Sequence, residues 1–439
     1  MWPYHPDLLS RAVPRYTSYP TAAEFHEGVG AADQALALAN VAKGDALSLY
    51  VHIPFCQEIC SYCGCNTGRA NRQQRLSAYL DALDAEIDLV ADALGGRGRV
   101  GRIAFGGGSP NAIEALAFVR LVDRLLVRFS AADATLSVEI DPRSLDDAWL
   151  ACLRTVGVQR VSLGVQTFDA RIQAAIGRVQ PDRMIEAAVD GLRRAGVASI
   201  NFDLMYGLPG QTVDDVERSV SRTIELGADR VALFGYAHLP SLLPRQRAID
   251  DSALPGAEQR FAEAAAGHAS FVAAGYVPVG FDHFARPGDA LAHAARDGTL
   301  RRNFQGFTED RSDRLIGFGA SAISQFPELL VQNEKNSGRY RMLVGAGSLA
   351  GRRGIHRLDQ VRQRADIIEQ LLCRSRAHPD FCLLWSAGPA LAPFIDRGLA
   401  RFDNGWLEIT PEGLPYARLI AACFDAFRTS TAGQFSHAI

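Results

Sequence analysis

No run of about 18 apolar residues occurs in the 439-residue sequence, so nothing in it reads as a membrane-spanning helix. The opening residues, MWPYHPDLLSRAVPRY, lack the apolar core of a secretory signal, and a cytoplasmic location is expected. Charge of either sign is not in excess. The 46 Lys and Arg stand against 49 Asp and Glu, which excludes a generally basic nucleic-acid binder but not a local basic pocket. Low-complexity tracts are missing, and 48% hydrophobic with 22% charged residues excludes a disordered chain. Two phosphate-binding signatures are also missing. The run Gly106–Gly108 is not G-x-G-x-x-G, and GLPGQT lacks the G-K-[ST] ending of a phosphate loop. Cysteine is scarce, with eight in the chain, and unevenly placed: Cys56, Cys60, Cys63 and Cys65 crowd together while Cys152, Cys373, Cys382 and Cys423 are scattered. A secreted disulfide framework is not built that way; four thiols so close suggest a metal or cluster, and the scattered four read as small core residues.

What is present is a rhythm. Six β-type runs recur: 47–54, 100–107, 135–142, 160–167, 199–207 and 230–238, each dense in Val, Ile, Leu or Phe. Between them lie amphipathic stretches, such as Leu76, Leu80, Leu83, Ile87 and Val90 on one helical face, and Leu121, Leu125 and Phe129 on another. Such alternation predicts right-handed crossovers and a parallel sheet. Polar or glycine residues gather at the C-terminal end of every run: the cysteines, Gly106–Gly108, Glu139, Gln166, Asp203 and Ala237–His238. A barrel builds its site from all these ends, whereas a doubly wound sheet uses one switch point, so a barrel-like mouth is expected. The stretch 257–275 reads as a helix and GFDHFARPGDAL as a polar loop. Beyond about 330 come a helix (RLDQVRQRADIIEQLLCRS), a hairpin at Asn404-Gly405 and a last helix (YARLIAACFDAF). Together these suggest a small winged-helix-like domain that packs rather than binds DNA.

The chemistry concentrates in HIPFCQEICSYCGC. Cys56, Cys60 and Cys63 have the spacing C-x3-C-x2-C directly after a strand, which suits three corners of an iron–sulfur cluster and leaves one iron open. A structural zinc wants four ligands, and Cys65 is the available fourth; four ligands in so short a loop would be strained. Glycines 106–108 admit close backbone approach and offer N–H donors to a carboxylate; a plain tight turn is the alternative. Glu139 and Asp203 are acceptors suited to ribose hydroxyls or an amino group, and Arg178 suits a carboxylate fork. His52 is read either as a donor to the cluster or as a satisfied core residue. His238, His283 and Arg286 are candidate substrate contacts.

The C-x3-C-x2-C motif, with aromatic Tyr62 before its third cysteine, resembles the radical S-adenosylmethionine (SAM) superfamily. The longer string YVHIPFC…C-x2-C-G-C-N is similar to the oxygen-independent coproporphyrinogen III oxidases, the HemN type. RYTSYPTA, GGGSP, SVEIDPR, GVQTF, NFDLMYGLPGQT, YAHLP, DHFARP, RNFQGF and GASAIS extend that likeness over about 14–325. The resemblance implies an α/β fold: a partial (β/α)6 TIM-like radical SAM barrel with an N-terminal extension and a small, mainly α, winged-helix-like C-terminal domain. Residues 1–45 would cover the active site, 46–325 form the barrel and substrate loops, and 326–439 the C-terminal domain.

It further implies that Cys56, Cys60 and Cys63 hold a 4Fe–4S cluster whose open iron takes one SAM. Tyr50, Gly107, Glu139 and Ile323 match positions lining that SAM. Tyr62, Gly108, Ser109, Gln166, Arg178, Asp203 and Ala237 match those of a second SAM; Ser109 stands where the family often has Thr. Tyr50, Glu139, Gln166 and Asp203 are the implied catalytic set. The implied reaction converts two propionates of coproporphyrinogen III to vinyl groups, giving protoporphyrinogen IX in heme biosynthesis, through a SAM-derived 5′-deoxyadenosyl radical. The implied partners are that substrate and a reductant protein such as flavodoxin or ferredoxin, with no nucleic acid, no membrane and a monomeric chain. Arg15, Arg286 and Arg302 are candidates for holding the substrate's carboxylates. The rival readings are a HemN-like heme chaperone, which generally lacks the equivalents of Cys65 and Tyr19-Pro20-Thr21, another tetrapyrrole-acting radical SAM enzyme, and a structural zinc protein.

Overall fold

The computed structural model describes residues 2–70 and 73–428. Residues 429–439, the end of the expected C-terminal domain, lie outside the described residues. All six expected strands form: β1 (Ala46–Ile53), β2 (Arg99–Gly107), β3 (Thr135–Ile140), β4 (Arg160–Gln166), β5 (Ser199–Tyr206) and β6 (Arg230–Gly235). The helices α1 (Gln73–Leu94), α2 (Ala115–Arg128), α3 (Asp147–Val156), α4 (Asp182–Arg194) and α5 (Val213–Glu225) connect them in turn. Each helix turns an apolar stripe to the sheet, as where Leu83, Ile87 and Val90 of α1 are buried. Local capping fixes several starts: Asp146 accepts from Trp149 N, and Thr212 and Asp215 form a reciprocal capping box.

Strands β1 to β6 are hydrogen-bonded neighbours in chain order and all parallel. No reversal of order occurs along them, so the winding is single and the sheet curls, placing every strand's C-terminal end around one mouth. On the far side of β1 lies another parallel strand, β7 (Arg314–Phe318). The fold is therefore mixed α/β around a large, parallel-rich sheet. The sheet edges are the strands Gly351–His356 and Val277–Val279, so the curl stays open as a partial barrel.

Two differences from the sequence reading concern extent. Beyond residue 325, the strands Leu329–Asn333 and Gly351–His356 continue the main sheet, so the boundary expected at 325/326 falls within it. GFDHFARPGDAL is not simply a polar loop. It supplies the strand His283–Ala285 and opens the helix Ala290–Arg296, with Phe284 and Ala285 buried; three apolar-centred residues are too few to show a period.

The helix expected at 257–275 is α6 (Ala257–Ala273), and the last helices are α7 (Asp359–Arg374), α8 (Phe381–Ile395) and α9 (Ala417–Ala422). The hairpin Ala400–Asp403/Trp406–Ile409 turns at Asn404 (φ 50°) and Gly405 (φ 84°), both left-handed as an Asn-Gly turn requires. Leu8, Val13, Tyr16 and Tyr19 share one core with Leu371, Phe394, Leu407 and Tyr416. The N-terminal segment is thus built into the C-terminal core as well as reaching the mouth. Cys152 and Cys373 are buried as expected, but Cys423 is only half-buried and Cys382 is exposed on α8.

One buried carboxylate ties α1 to the mouth. Glu86 is fully buried and accepts from Gly319 N (2.6 Å), Asn333 Nδ2 (2.7 Å) and Tyr340 Oη (2.7 Å). Tyr79, two α1 turns away on the same helical face, donates to His52 O and accepts from Ala320 N. Burial outweighs the three donors and pushes Glu86 up to about 7. The Asn333 amide also donates to Gly319 O (3.0 Å), which fixes its orientation toward Glu86. The folded protein holds this proton to higher pH than the unfolded chain, so the stability linked to Glu86 is full below about 4.5 and is lost as pH rises through 7. Glu86→Gln should therefore flatten the decline in stability between pH 5 and 8, by up to about 3 kcal/mol. Urea unfolding at both pH values measures it, and identical slopes for wild type and variant would refute the assignment.

Candidate active site

The cysteine loop leaves β1 and is pinched shut by its own backbone. Gly68 N donates to Pro54 O (2.8 Å) and Ala70 N to Cys56 O (2.8 Å), so the intervening residues bulge over the mouth. Cys56, Cys60, Cys63 and Cys65 all line one cavity of about 440 Å³. Arg143 Nη2 and Arg178 Nη1 each donate to Cys60 Sγ at 3.3 Å. The backbone N–H of Cys65 donates to Cys63 Sγ at 3.4 Å. Cys63 is pulled down to about 6, chiefly by hydrogen bonding from Cys65, with burial opposing. Burial pushes Cys56 up to about 12, and the neighbouring Cys63 and Cys60 add to the rise. Three thiolates together repel one another and call for a cation among them, which an iron–sulfur cluster provides. Among the described residues, no three of His, Cys, Asp and Glu are drawn in tightly enough to hold one metal ion. A cluster, which gives each thiolate its own iron, asks only for three thiols around a common space. The donor set fits it.

Tyr62, Gly107, Gly108, Ser109, Glu139, Gln166, Arg178, Asp203 and Ala237 line the same cavity. Tyr50 and Ile323 do not. Tyr50 is buried edge-on against Phe304 (4.5 Å between centroids) and meets His52 Nδ1 at 3.2 Å. Ile323 begins the strand Ile323–Phe326, behind β7. The ring of His52 also lies 3.4 Å from Ser321 Oγ, and burial lowers it to about 4, so it is a satisfied core histidine.

The glycine run is closely packed by its neighbours as well as reaching the cavity. A Cβ on Gly106 would meet the Glu139 carboxyl, one on Gly107 the His52 ring, and one on Gly108 the Phe55 backbone. Their N–H groups are also engaged: Gly107 N donates to Glu139 Oε2 (3.2 Å) and Gly108 N to Ile53 O (2.8 Å). Close packing against these neighbours is by itself a reason for glycine at each position.

Burial pushes Glu139 up to about 7, helped by Asp203 and opposed by Gly107 N–H. Burial also raises Asp203, against donors from Ser162 Oγ (2.9 Å) and Asn201 Nδ2 (2.8 Å). Gln166 stands at a bulge in β4 with φ 67°, a left-handed backbone that a non-glycine residue adopts at a cost of about 1–3 kcal/mol. Arg178 has its fork filled by the protein: it donates to Gly164 O (2.6 and 2.9 Å) and to both Asp141 oxygens at 3.3 Å.

Several wall residues escaped the sequence reading. Asp141 accepts from Arg143 (2.6 Å) and Arg178, and these two arginines hold it below the usual carboxylate range despite burial. Gln246, buried, donates to Tyr62 O (2.8 Å) and Ala237 O (3.0 Å) and accepts from Leu239 N (2.6 Å), joining the cysteine loop to the end of β6. SVEIDPR carried a signal for the first pair; nothing local marked Gln246. Arg15 also lines the cavity. Arg286 does not approach it: its N–H reaches Asp229 O, before the start of β6, at the opposite end of the sheet. His238 meets Tyr236 Oη (2.9 Å), and His283 meets Asp282 Oδ1 (2.6 Å).

Residues 50–222 match the radical SAM superfamily. The oxygen-independent coproporphyrinogen III oxidase of Bradyrhizobium diazoefficiens is 44% identical over 424 residues, covering 94% of each chain. That of Paracoccus denitrificans is 39% identical over 438 residues, covering 97% of each. Among solved structures, the radical SAM enzyme coproporphyrinogen III oxidase (HemN) from Escherichia coli superposes with a TM-score of 0.89 at 36% identity, covering 97% of this chain and all of that one.

Proposed function

Because the chain belongs to the oxygen-independent coproporphyrinogen III oxidases of the radical SAM superfamily, we propose that it decarboxylates two propionates of coproporphyrinogen III to vinyl groups, giving protoporphyrinogen IX. It is a radical SAM oxidoreductase of heme biosynthesis, and the family implies a 4Fe–4S cluster and SAM. The observation that carries the reading is the single cavity in which the C-x3-C-x2-C thiols face the ends of β3, β4 and β5.

Cys56, Cys60 and Cys63 would hold the cluster, which with SAM supplies the one-electron chemistry that an unactivated propionate C–H bond demands. The chain's own residues do the rest. Arg143 and Arg178 each donate to Cys60 Sγ and set positive charge beside the cluster position. Glu139 on β3 and Asp203 on β5 present acceptors to the same cavity, positioned for SAM hydroxyl and amino groups. Gln246 fixes the backbone that frames them, and Gln166 lines the same cavity. Tyr62, Gly108, Ser109, Arg178 and Ala237 would serve a second SAM, and Tyr50 and Ile323 would have to come to the first as it binds. The N-terminal segment, through Arg15, closes part of the mouth and helps exclude water from a reactive centre. Among the described residues no helix is long and apolar enough to cross a membrane. We place the enzyme in the cytoplasm as a monomer that receives electrons from a flavodoxin- or ferredoxin-like donor.

Anaerobic incubation of the iron-loaded protein with coproporphyrinogen III, SAM and a reductant tests the reading. Vinyl product is expected, with carbon dioxide and methionine. SAM cleavage without any vinyl product would overturn it in favour of another tetrapyrrole or of heme delivery.

A further inference from the structure

Strand β3 ends in Asp141-Pro142-Arg143, and that ending builds a clamp against the cysteine loop. Proline stops the strand and opens the short 3-10 helix Pro142–Ser144, which Asp141 caps by accepting from Arg143 N (3.0 Å). Asn111 fixes the cap in turn, donating to Asp141 O (2.9 Å) and accepting from Asp141 N (3.1 Å). The turn folds the Arg143 side chain back over Asp141, which accepts from its Nε (3.0 Å) and Nη2 (2.6 Å). With its side chain 8% exposed, Arg143 directs its donors at protein groups.

Two of those donors reach the cysteine loop. Nη1 donates to Glu58 Oε2 (2.9 Å) and Nη2 to Cys60 Sγ (3.3 Å). Arg178 Nη1 meets the same sulfur at 3.3 Å and is itself held by Asp141 at 3.3 Å. Cys60 Sγ therefore accepts from two guanidiniums, whereas Cys63 Sγ accepts from the neutral backbone N–H of Cys65. Asp141 and Glu58 balance the two arginines, so what sets Cys60 apart is the donated N–H bonds rather than net charge. Cys60 is also buried, where water competes little with such bonds.

Donors to the sulfur ligands of an iron–sulfur cluster favour the form that carries the extra electron, and so raise its reduction potential. We propose that Arg143, oriented by Asp141, is a positioning residue that raises the cluster's reduction potential through its bond to Cys60 Sγ, so that a donor of modest potential suffices to load the electron. The inference rests on the 4Fe–4S reading above. It gives Arg143 two separable tasks: the bond to Glu58 anchors the loop, and the bond to Cys60 acts on the cluster.

The test is a reductive titration of the iron-loaded full chain with dithionite and redox mediators, one electron per cluster, followed by the electron paramagnetic resonance of the reduced form. In Arg143→Gln the equilibrium constant for reduction should fall about tenfold, which for one electron moves the midpoint about 59 mV to the negative, while iron stays at about four per chain. Arg143→Lys keeps the charge but cannot serve Asp141, Glu58 and Cys60 together, and its midpoint should fall by less. Glu58→Gln loosens the anchor and spares the bond to sulfur, so its midpoint should equal that of wild type. An Arg143→Gln protein that holds its iron at the wild-type midpoint refutes the proposal. So does a Glu58→Gln midpoint shifted as far as that of Arg143→Gln, because the effect then comes from the loop. Should the glutamine variant lose its iron, Arg143→Lys decides in the same way, a wild-type midpoint refuting the role. A wild type that holds no four-iron cluster would instead overturn the reading on which the proposal rests.

Discussion

Cys60→Ala should yield a protein whose iron falls from about four per chain to background, without the brown colour of a cluster, and whose decarboxylation drops by more than about a thousandfold. Cys60 is the most enclosed of the three expected ligands, and both Arg143 and Arg178 reach its sulfur. Removing it deletes one corner and leaves those two guanidiniums with Asp141 as their remaining shared acceptor. Cys65→Ala makes the informative comparison. What Cys65 presents to Cys63 Sγ includes its backbone N–H, and alanine keeps that donor. The alanine variant should therefore keep its iron, with a change confined to the electronic properties of the cluster. Cys152→Ala, at a buried thiol on α3, controls for loss of any cysteine. Iron determination and absorption spectra under anaerobic conditions decide the matter. Equal loss of iron in Cys65→Ala and Cys60→Ala would show four thiolate ligands instead of three.

The features legible in the sequence were those encoded within a few residues. A buried parallel strand is a short dense run of branched apolar side chains, and its C-terminal end is marked by the first polar or glycine residue. That local grammar located β1 to β6, the cysteine loop, Glu139, Gln166 and Asp203 without reference to anything distant. Contacts between remote segments left no such mark. Gln246 joins Tyr62 to Ala237 across a separation of 184 residues in one of its bonds, and its own neighbourhood, LLPRQRA, looks like an ordinary loop. Gly106–Gly108 show the same limit: absence of a side chain shows that something comes close, but not whether it is a ligand or the ring of His52. Tyr50 carries family meaning from its motif, yet its packing against Phe304 depends on a loop some 250 residues later. The sheet's continuation past residue 325 was hidden because its strands LLVQN and GRRGIH are not the dense apolar runs that mark β1 to β6.

Glu309 marks the end of the barrel opposite the cysteines, and Glu309→Gln should lower stability by about 3–5 kcal/mol, the usual consequence of removing one partner from a buried ionic cluster. Arg102 on β2, Arg160 on β4 and Arg230 on β6 all point their guanidiniums at it: Arg102 at 2.8 Å, Arg230 at 3.4 Å, and Arg160 in direct contact. Alternate strands contributing one layer is how a barrel fills its interior, and here the layer is cationic with a single carboxylate at its centre. Glu309 is 9% exposed, and burial alone would raise it, but Arg230, Arg160 and Arg102 win and hold it at about 2. Asp289 and Asp310 meet only Arg230 and Arg102, so the amide leaves Arg160 without a carboxylate partner among the described residues. The linkage runs opposite to that of Glu86. Glu309's contribution is fully present above about pH 4.5 and is lost as pH falls toward 2, so the variant should lose the wild type's steep decline over that interval. Adding Arg160→Met should restore part of the loss, because it removes the charge that the first change stranded. Denaturant unfolding of the three proteins measures both effects. A Glu309→Gln protein within about 1 kcal/mol of wild type, or a double variant weaker than the single by the full cost of each change, would mean that the arginines are satisfied by solvent and that Glu309 does not hold the barrel floor together.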